Sequence, residues 1–361
     1  MKLRRMVTSL IAPALGLIIS FAVTAMILLV INANVSTVFK AMLDYGTSPR
    51  AMTLILNLAT TYFLSALAVA IGFKMNLFNI GVNGQYVLGA VAAGVVAGKM
   101  NFPIFIAVPI TILVAMVVGA AWAGVAAWLK VARGVNEVIS TIMLNFIATA
   151  IVSYIIIRTS LGQETSMNVR GTAVIPESGM LRGVAWLDEG TKIYGFFFIS
   201  IVVGVFYWFI LNRTRFGFDL RATGHSASAA RASGVDAKRM TFVTMLLSGA
   251  LAGLVGLPYL LGDATSYNLN FPTDWGFTGI AIALLGRNNP VGIAVGALLW
   301  AFLDVSSGQL ILEGVPREIT TIIQGLIVIV VVMSYEIVRR NQIKSEQRRV
   351  ARALEEQGVT V

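Results

Sequence analysis

The chain has no cysteine and a single histidine, His225. The first absence excludes disulfides, thiolate metal sites and a cysteine nucleophile. The second leaves no basis for a histidine-built metal centre or a Ser–His hydrolase. Charge is scarce too: 12% of the 361 residues are Asp, Glu, Lys or Arg, where a soluble domain carries roughly a quarter. No Gly-x-x-x-x-Gly-Lys-Ser/Thr phosphate loop is present, so the chain does not bind ATP in the usual way. No arginine ladder of a voltage sensor occurs, and the clearest apolar spans have almost no internal carboxylate, the group a proton- or sodium-coupled carrier needs. A transporter with neither motor nor coupling acid borrows a motor.

What remains is apolar: 57% of residues are hydrophobic and the mean hydropathy is +0.82. They fall in long uncharged runs, not amphipathic stripes, and a helix that is apolar all round faces lipid or a membrane-buried core. The net charge of +10 does not point to nucleic acid, because the basic residues lie between apolar runs, where they orient a chain in the bilayer. The expected class is an all-α, polytopic helical membrane protein.

Crossing the hydrocarbon takes about 20 residues of helix. Ser9–Ile31 reads as a retained first span behind Lys2, Arg4 and Arg5 and not as a signal peptide, being too long and lacking a small-residue cleavage site. Further spans fit Thr53–Phe73, Ile80–Gly98, Ile104–Leu129, Val138–Ile157, Ile193–Leu211, Thr241–Leu261 and Ile319–Ile337. Gly276–Leu303 is interrupted by Gly286–Pro290, each flank reads as too short to cross alone, and the stretch is expected to form a re-entrant pair. That gives about ten segments with both termini cytoplasmic. In this arrangement 19 of the 27 Lys and Arg lie inside, as the positive-inside rule requires. Residues 1–337 form the membrane domain, with an inside loop over 212–240 and an outside loop over 159–192, and 338–361 form a basic cytoplasmic tail. Leu54–Gly98 and Thr241–Leu303 share a layout of span, polar break and Gly-rich span, which suggests inverted repeats with the substrate path at their interface.

Four clusters carry polar chemistry. In Asn76–Gln85, Asn79 reads as an N-cap, and Asn79 and Asn83 are spaced to share a helical face. With Gln85, Asn145 and Asn288 they are candidates for the path of a polar, neutral solute; amides of this kind equally hold membrane helices together. In Gly134–Asn145, Glu137 sits where a helix N-terminus favours an acid, and a coupling role at the cytoplasmic end is the sharper alternative. In the loop 212–240, Ser226–Ser233 is an Ala-rich stretch opened by a capping Ser and closed by Gly234, which fits a short helix suited to docking on a soluble motor. An orienting basic loop is the plainer reading. In Gly286–Pro290, Arg287 lies at the inner rim or is costly at membrane depth.

Phe78–Gly89, Gly134–Ala148, Arg221–Gly256 and Gly276–Gly292, in this order, resemble the permease subunits of bacterial ABC importers for nucleosides and simple sugars, related to ribose and branched-chain amino-acid permeases. The likeness runs from about Thr53 to Ile337. It implies a type II importer membrane domain with no cofactor and no resident metal. It also implies a second homologous permease subunit, a cytoplasmic ABC ATPase and an extracytoplasmic solute-binding lipoprotein, in a bacterial inner membrane. It places the coupling helix within Arg221–Lys238, with Arg221, Gly224, Ser226, Ala230 and Gly234 as candidates beside Glu137. The family often has an acid where this chain has Asn83. Alternating access for a nucleoside is the leading expectation, a simple sugar or branched-chain amino acid the alternative, and a stand-alone carrier or channel the reading from another class.

Overall fold

The computed structural model describes residues 21–26, 28–30, 33–164, 169–186, 190–310, 316, 318–330, 333, 337 and 340. By internal contacts the chain divides into two compact units, Tyr45–Val305 and Met1–Asp44 with Ser306–Val361. Most of the proposed first span Ser9–Ile31, the tail from 341 onward, and Asp188, Glu189 and Arg317 lie outside the described residues.

In the smaller unit, α1 (Val35–Gly46) buries Val38 and Met42 on one side, and Phe21 packs on Phe39 at 5.5 Å between ring centroids. Residues 318–330 are helical, with Thr320, Ile323, Gln324 and Ile327 buried along one face.

In the larger unit the helices are α2 (Pro49–Phe73), α3 (Val82–Ala97), α4 (Ile104–Arg133), α5 (Glu137–Arg158), α6 (Phe196–Arg213), α7 (Arg215–His225), α8 (Ala227–Ala232), α9 (Ala237–Gly253), α10 (Trp275–Leu285) and α11 (Pro290–Ser307). α9 runs on through a short turn and a π-helical segment to Ala264. Among the described residues six helices are long and apolar enough to cross a membrane, and four shorter ones are apolar, Phe21–Val30, Val82–Ala97, Trp275–Leu285 and Glu318–Val330. About ten membrane segments follow, as the hydropathy pattern led one to expect. One expectation is corrected. α11 has 18 residues and is long enough to cross, so Gly276–Leu303 is not a pair of short helices. The apolar run ends at Leu303, directly before Asp304, yet the helix continues past Asp304, whose carboxylate accepts a short hydrogen bond from the Tyr62 hydroxyl. A long span therefore does hold an internal carboxylate.

α2 is the central element: 78% of its apolar window is buried, against 28% in α4 and α6, whose outer faces are left to lipid. Without a hydrophobic driving force between helices in lipid, close packing of small residues decides which helices pair. Ala115, Gly119 and Ala123 on α4 form such a stripe and meet Gly249 and Gly253 on α9. A β-carbon on Gly119 would lie 2.3 Å from the Gly249 carbonyl oxygen, and one on Gly253 2.1 Å from that of Ala115. Tight turns follow local chemistry. Ser48 caps α2 with Pro49 in its first turn, and Gly134, left-handed at φ 69°, ends α4 so that Asn136 can cap α5 through Val138 N–H at 2.8 Å.

The described part of segment 159–195 is pinned down. It carries two two-residue antiparallel hairpins, β1 (Gln163–Glu164) with β2 (Arg170–Gly171) and β3 (Val184–Ala185) with β4 (Lys192–Ile193). Thr172 N–H donates to Tyr267 O at 2.8 Å, Ile175 N–H to Thr265 O at 2.7 Å and Leu181 N–H to Leu261 O at 2.8 Å.

Gly119→Ala is expected to destabilise the fold by about 1–3 kcal/mol through overpacking. Gly325→Ala, where a β-carbon meets nothing within 4 Å, is expected to be neutral or slightly stabilising. Thermal melting in detergent checks both; equal melting temperatures would remove the small-residue seam as a determinant of the fold.

Candidate functional site

Half-length helices set the site. α10 has 11 residues, about 16 Å, against about 30 Å of hydrocarbon. Its N-terminus therefore opens inside the membrane if its other end, at Gly286–Asn289, lies at the rim. That first turn packs on the first turn of α3: a β-carbon on Gly276 would fall 2.4 Å from Asn83 N. Gly84, next to it, meets α5 as closely, 2.8 Å from Ala148 Cβ. Both contacts lie level with the middle of α5.

Two buried helix N-termini bring amide N–H groups that need acceptors, and asparagines supply them. Asn145 on α5 accepts from Gly84 N–H at 2.8 Å and donates to Ile80 O at 2.9 Å. Asn83 Oδ1 accepts from Gly276 N–H at 3.3 Å and so caps α10 from another helix. Asp274, at the N-cap position of α10, makes no cap bond with its own side chain.

Behind this junction Asn79 is fully buried. Its Nδ2 donates to Gln85 Oε1 at 2.9 Å and to Ser248 Oγ at 2.7 Å, and its Oδ1 accepts from Gln85 Nε2 at 2.9 Å and from Gly81 N–H at 3.0 Å. Asn79 is not the N-cap expected of it. Gly81 holds that position, and Asn79, two residues outside the helix, does not share a helical face with Asn83. Asn79 and Gln85 are bound to each other and to Ser248, and neither reaches the cavity that opens beside the junction.

That cavity has a volume of 530 Å³ and is lined by one face of α5 (Asn145, Phe146, Thr149 and Ser153 among others), by Asn83, and by Thr273, Asp274 and Phe277. Among the described residues no cationic side chain lines it. Phe146 is 69% exposed and Phe277 45%. The chain approaching Asp274 is held by stacked aromatics: Tyr86 lies on Trp275, Tyr267 on Phe271, and Tyr259 against both Phe271 and Trp275. Tyr86 also donates its hydroxyl to Pro272 O at 2.8 Å. Phe146, Asp274 and Phe277 were not candidates from sequence; an Asp directly before an apolar helix was the available signal, and it reads first as an ordinary cap.

Asn288 lies apart from this cavity, in the α10–α11 turn. It and Arg287 are left-handed at φ 54° and 56°, and its buried Oδ1 has no hydrogen-bond partner. This turn belongs to the end of the molecule that holds the coupling candidates. Lys74, half-buried between α2 and α3, has its pKa lowered, first by burial and then by the charges of Arg221 and Arg287. Gly224 packs on the Lys74–Met75 backbone, and Asn76 Nδ2 donates to Gly224 O at 2.7 Å. Arg221 bonds to Leu211 O. Glu137 is paired with Lys130 across the α4–α5 turn, clipping that hairpin.

α8 matches its reading closely. Ser226 Oγ accepts from Ala229 N–H at 3.2 Å, Gly234 takes φ 84°, and Gly234 N–H and Val235 N–H donate back to Arg231 O and Ala230 O, both at 3.0 Å. This is a helix closed at both ends by its own sequence. Ala230 is its buried residue; the other faces are exposed. The preceding helix α7 had no counterpart in the sequence reading.

The model of the family described as branched-chain amino acid transport system / permease component matches residues 51–332. The guanosine ABC transporter permease protein of Bacillus subtilis is 33% identical over 335 residues, 91% of this chain and 94% of the relative. The glucose ABC transporter permease protein of Haloferax volcanii is 31% identical, over 89% of this chain and 87% of its own. The nucleoside ABC transporter permease protein of Lactococcus lactis subsp. cremoris is 29% identical, over 90% and 91%. No solved structure gave a match.

Asn145→Ala leaves Gly84 N–H and Ile80 C=O without their partner and is expected to cost about 1–3 kcal/mol, while Thr149→Ala, on the exposed side of the same cavity, is expected to cost less than about 1 kcal/mol. Melting of the two purified variants tests the difference; an Asn145→Ala protein as stable as the parent would show that the junction does not depend on it.

Proposed function

The chain belongs to the branched-chain amino acid transport system permease family, a family of multi-pass membrane transport subunits, and from that premise we propose that it conducts a nucleoside into the cell by alternating access. The observation that carries this reading is the cavity at the α3–α5–α10 junction. Its 530 Å³ lies within the roughly 300–1,000 Å³ usual for small-molecule sites. It combines exposed aromatic rings with amide and hydroxyl groups and a single carboxylate, a lining suited to a flat, neutral, hydroxyl-bearing solute. The relatives whose names include guanosine and nucleoside support the same class. A simple sugar is the second reading, favoured by the Haloferax relative and by the same polar lining. A zwitterionic amino acid fits less well, because among the described residues no cation lines the cavity to meet its carboxylate.

A carboxylate facing lipid is costly, so the open side of this cavity is assigned to a second, homologous permease subunit. α8, exposed on all but its Ala230 side, is assigned to the cytoplasmic ATPase, with both chain termini on that side. The segment 159–195, whose described part is bonded to Leu261, Thr265 and Tyr267, is assigned to the extracytoplasmic solute-binding lipoprotein. Gly224 holds α7 to the α2–α3 elbow beneath the cavity, Arg221 ties α7 to the end of α6 at Leu211 O, and the two form the route by which the motor acts.

Pull-down of the tagged chain from its native membrane is expected to bring a soluble ATPase and a second permease chain. Uptake of labelled uridine by the complete transporter should be blocked by other nucleosides and not by leucine. Replacing exposed Ala229 and Ala232 together by Glu is expected to remove the ATPase while the chain stays inserted. Isolation of the chain alone, or competition by leucine without any by nucleosides, would overturn the reading.

A further inference from the structure

The Asp274 carboxylate is set into the cavity for a reason visible in the helix caps. An N-cap Asp ordinarily turns its side chain back onto the N–H groups of its own first turn. Here that place is filled from another helix: Asn83 Oδ1 takes Gly276 N–H, the second residue of α10. Asp274 makes no such bond, lies exposed, and lines the cavity with Phe146 and Phe277. Asn83 is 8% exposed, and among the described residues its Nδ2 has no hydrogen-bond partner although it borders the same cavity. One buried amide donor and one carboxylate thus face a common space without satisfying each other.

Resting on the nucleoside reading above, we infer that Asp274 is the specificity-determining residue of this cavity, and that its two oxygens accept hydrogen bonds from the vicinal 2′- and 3′-hydroxyls of the ribose while Asn83 Nδ2 donates to a neighbouring sugar oxygen. An ionised carboxylate is acceptor-only and holds two adjacent donors at once. The vicinal diol presents two adjacent donors whatever base is attached, whereas the donor edges of the bases differ. The Phe277 ring packs beside the sugar or base as an apolar wall. Rigidity matters for such a contact, since a site loosened by 1 Å loses selectivity. The Tyr86–Trp275 and Tyr267–Phe271 stacks and the Tyr86–Pro272 hydrogen bond supply it from both sides of Asp274.

The test uses the complete transporter in cells without other nucleoside uptake, with labelled uridine and labelled 2′,3′-dideoxyuridine as probes. The readout is the ratio of their uptake efficiencies. The binding protein is the same in every arm, so its own preference cancels when variants are compared with the parent. Asp274→Ala and Asp274→Asn are expected to lower the ratio by about tenfold or more, as loss of hydrogen bonds to a charged group does. Asp274→Glu, which keeps the carboxylate, should retain most of the preference. Immunoblots of the membrane fraction establish that each variant is inserted. Uridine uptake with an unchanged ratio in both Asp274→Ala and Asp274→Asn would overturn the assignment of Asp274 while leaving the importer reading intact. A parent transporter that takes up no nucleoside would overturn the functional reading and this inference with it.

Discussion

The larger unit depends on one constraint: helix N-termini buried inside a membrane must find acceptors for their amide N–H groups. Water cannot serve, and the cost of leaving such a group bare in hydrocarbon is several kcal/mol. α3 and α10 both open at the level of the middle of α5, so the demand arises twice in one place. Asparagine meets it, since its side chain can accept and donate at once. Asn145 closes the α3 turn, Asn83 closes α10, and Asn79 ties Gln85 to Ser248 behind them. The glycines at 84 and 276 are the steric counterpart, because these bonds form only if the backbones come within van der Waals contact.

The same constraint explains which polar groups bind the protein to itself and which are left for a solute. Of the five amides expected on a solute path, Asn79 and Gln85 are consumed by each other, Asn145 spends both ends on backbone, and Asn288 lies in a distant turn. Asn83 spends only its oxygen. In Asp274 the capping function has been displaced altogether. Asn145 borders the cavity with its hydrogen bonds already spent, and the groups left for a solute there are the ones the helix junction does not use. An acid at position 83 would have no N–H to offer a solute and would stand beside the Asp274 carboxylate. The amide at 83 removes that repulsion and leaves Asp274 as the one carboxylate residue among the described lining of the cavity.

Much of this was legible in sequence where local chemistry decides. The spans over α2, α4, α5, α6 and α9 follow from uninterrupted apolar runs, and α8 from a capping Ser at 226 and a Gly at 234 that must be left-handed. Where tertiary partners decide, the reading failed in specific ways. Asn79 reads as a cap because nothing in the sequence says that Gly81 begins the helix. α11 reads as too short because the apolar run ends before Asp304, whose partner Tyr62 is 242 residues away. Asp274 is not singled out by the sequence at all, because Asn83, nearly two hundred residues earlier, takes over the capping of α10 only in three dimensions.

In the proposed importer the junction also defines how force would reach the solute. Gly224 touches the Lys74–Met75 backbone directly, and Asn76 is bonded to its carbonyl, so α7 bears on the α2–α3 elbow without an intervening flexible side chain. From that elbow the chain runs through Asn79 to the first turn of α3 within a few residues, and Met75 is held from the other side by the Thr244 hydroxyl on α9 at 3.2 Å. A displacement of α8 and α7 would thus shift Asn83 relative to Asp274, the two groups assigned to the sugar. Binding and release would then be controlled by the separation of a donor and an acceptor that the fold has set on different helices, which is what a ligand must be able to sense if it binds the two states of an alternating-access cycle differently.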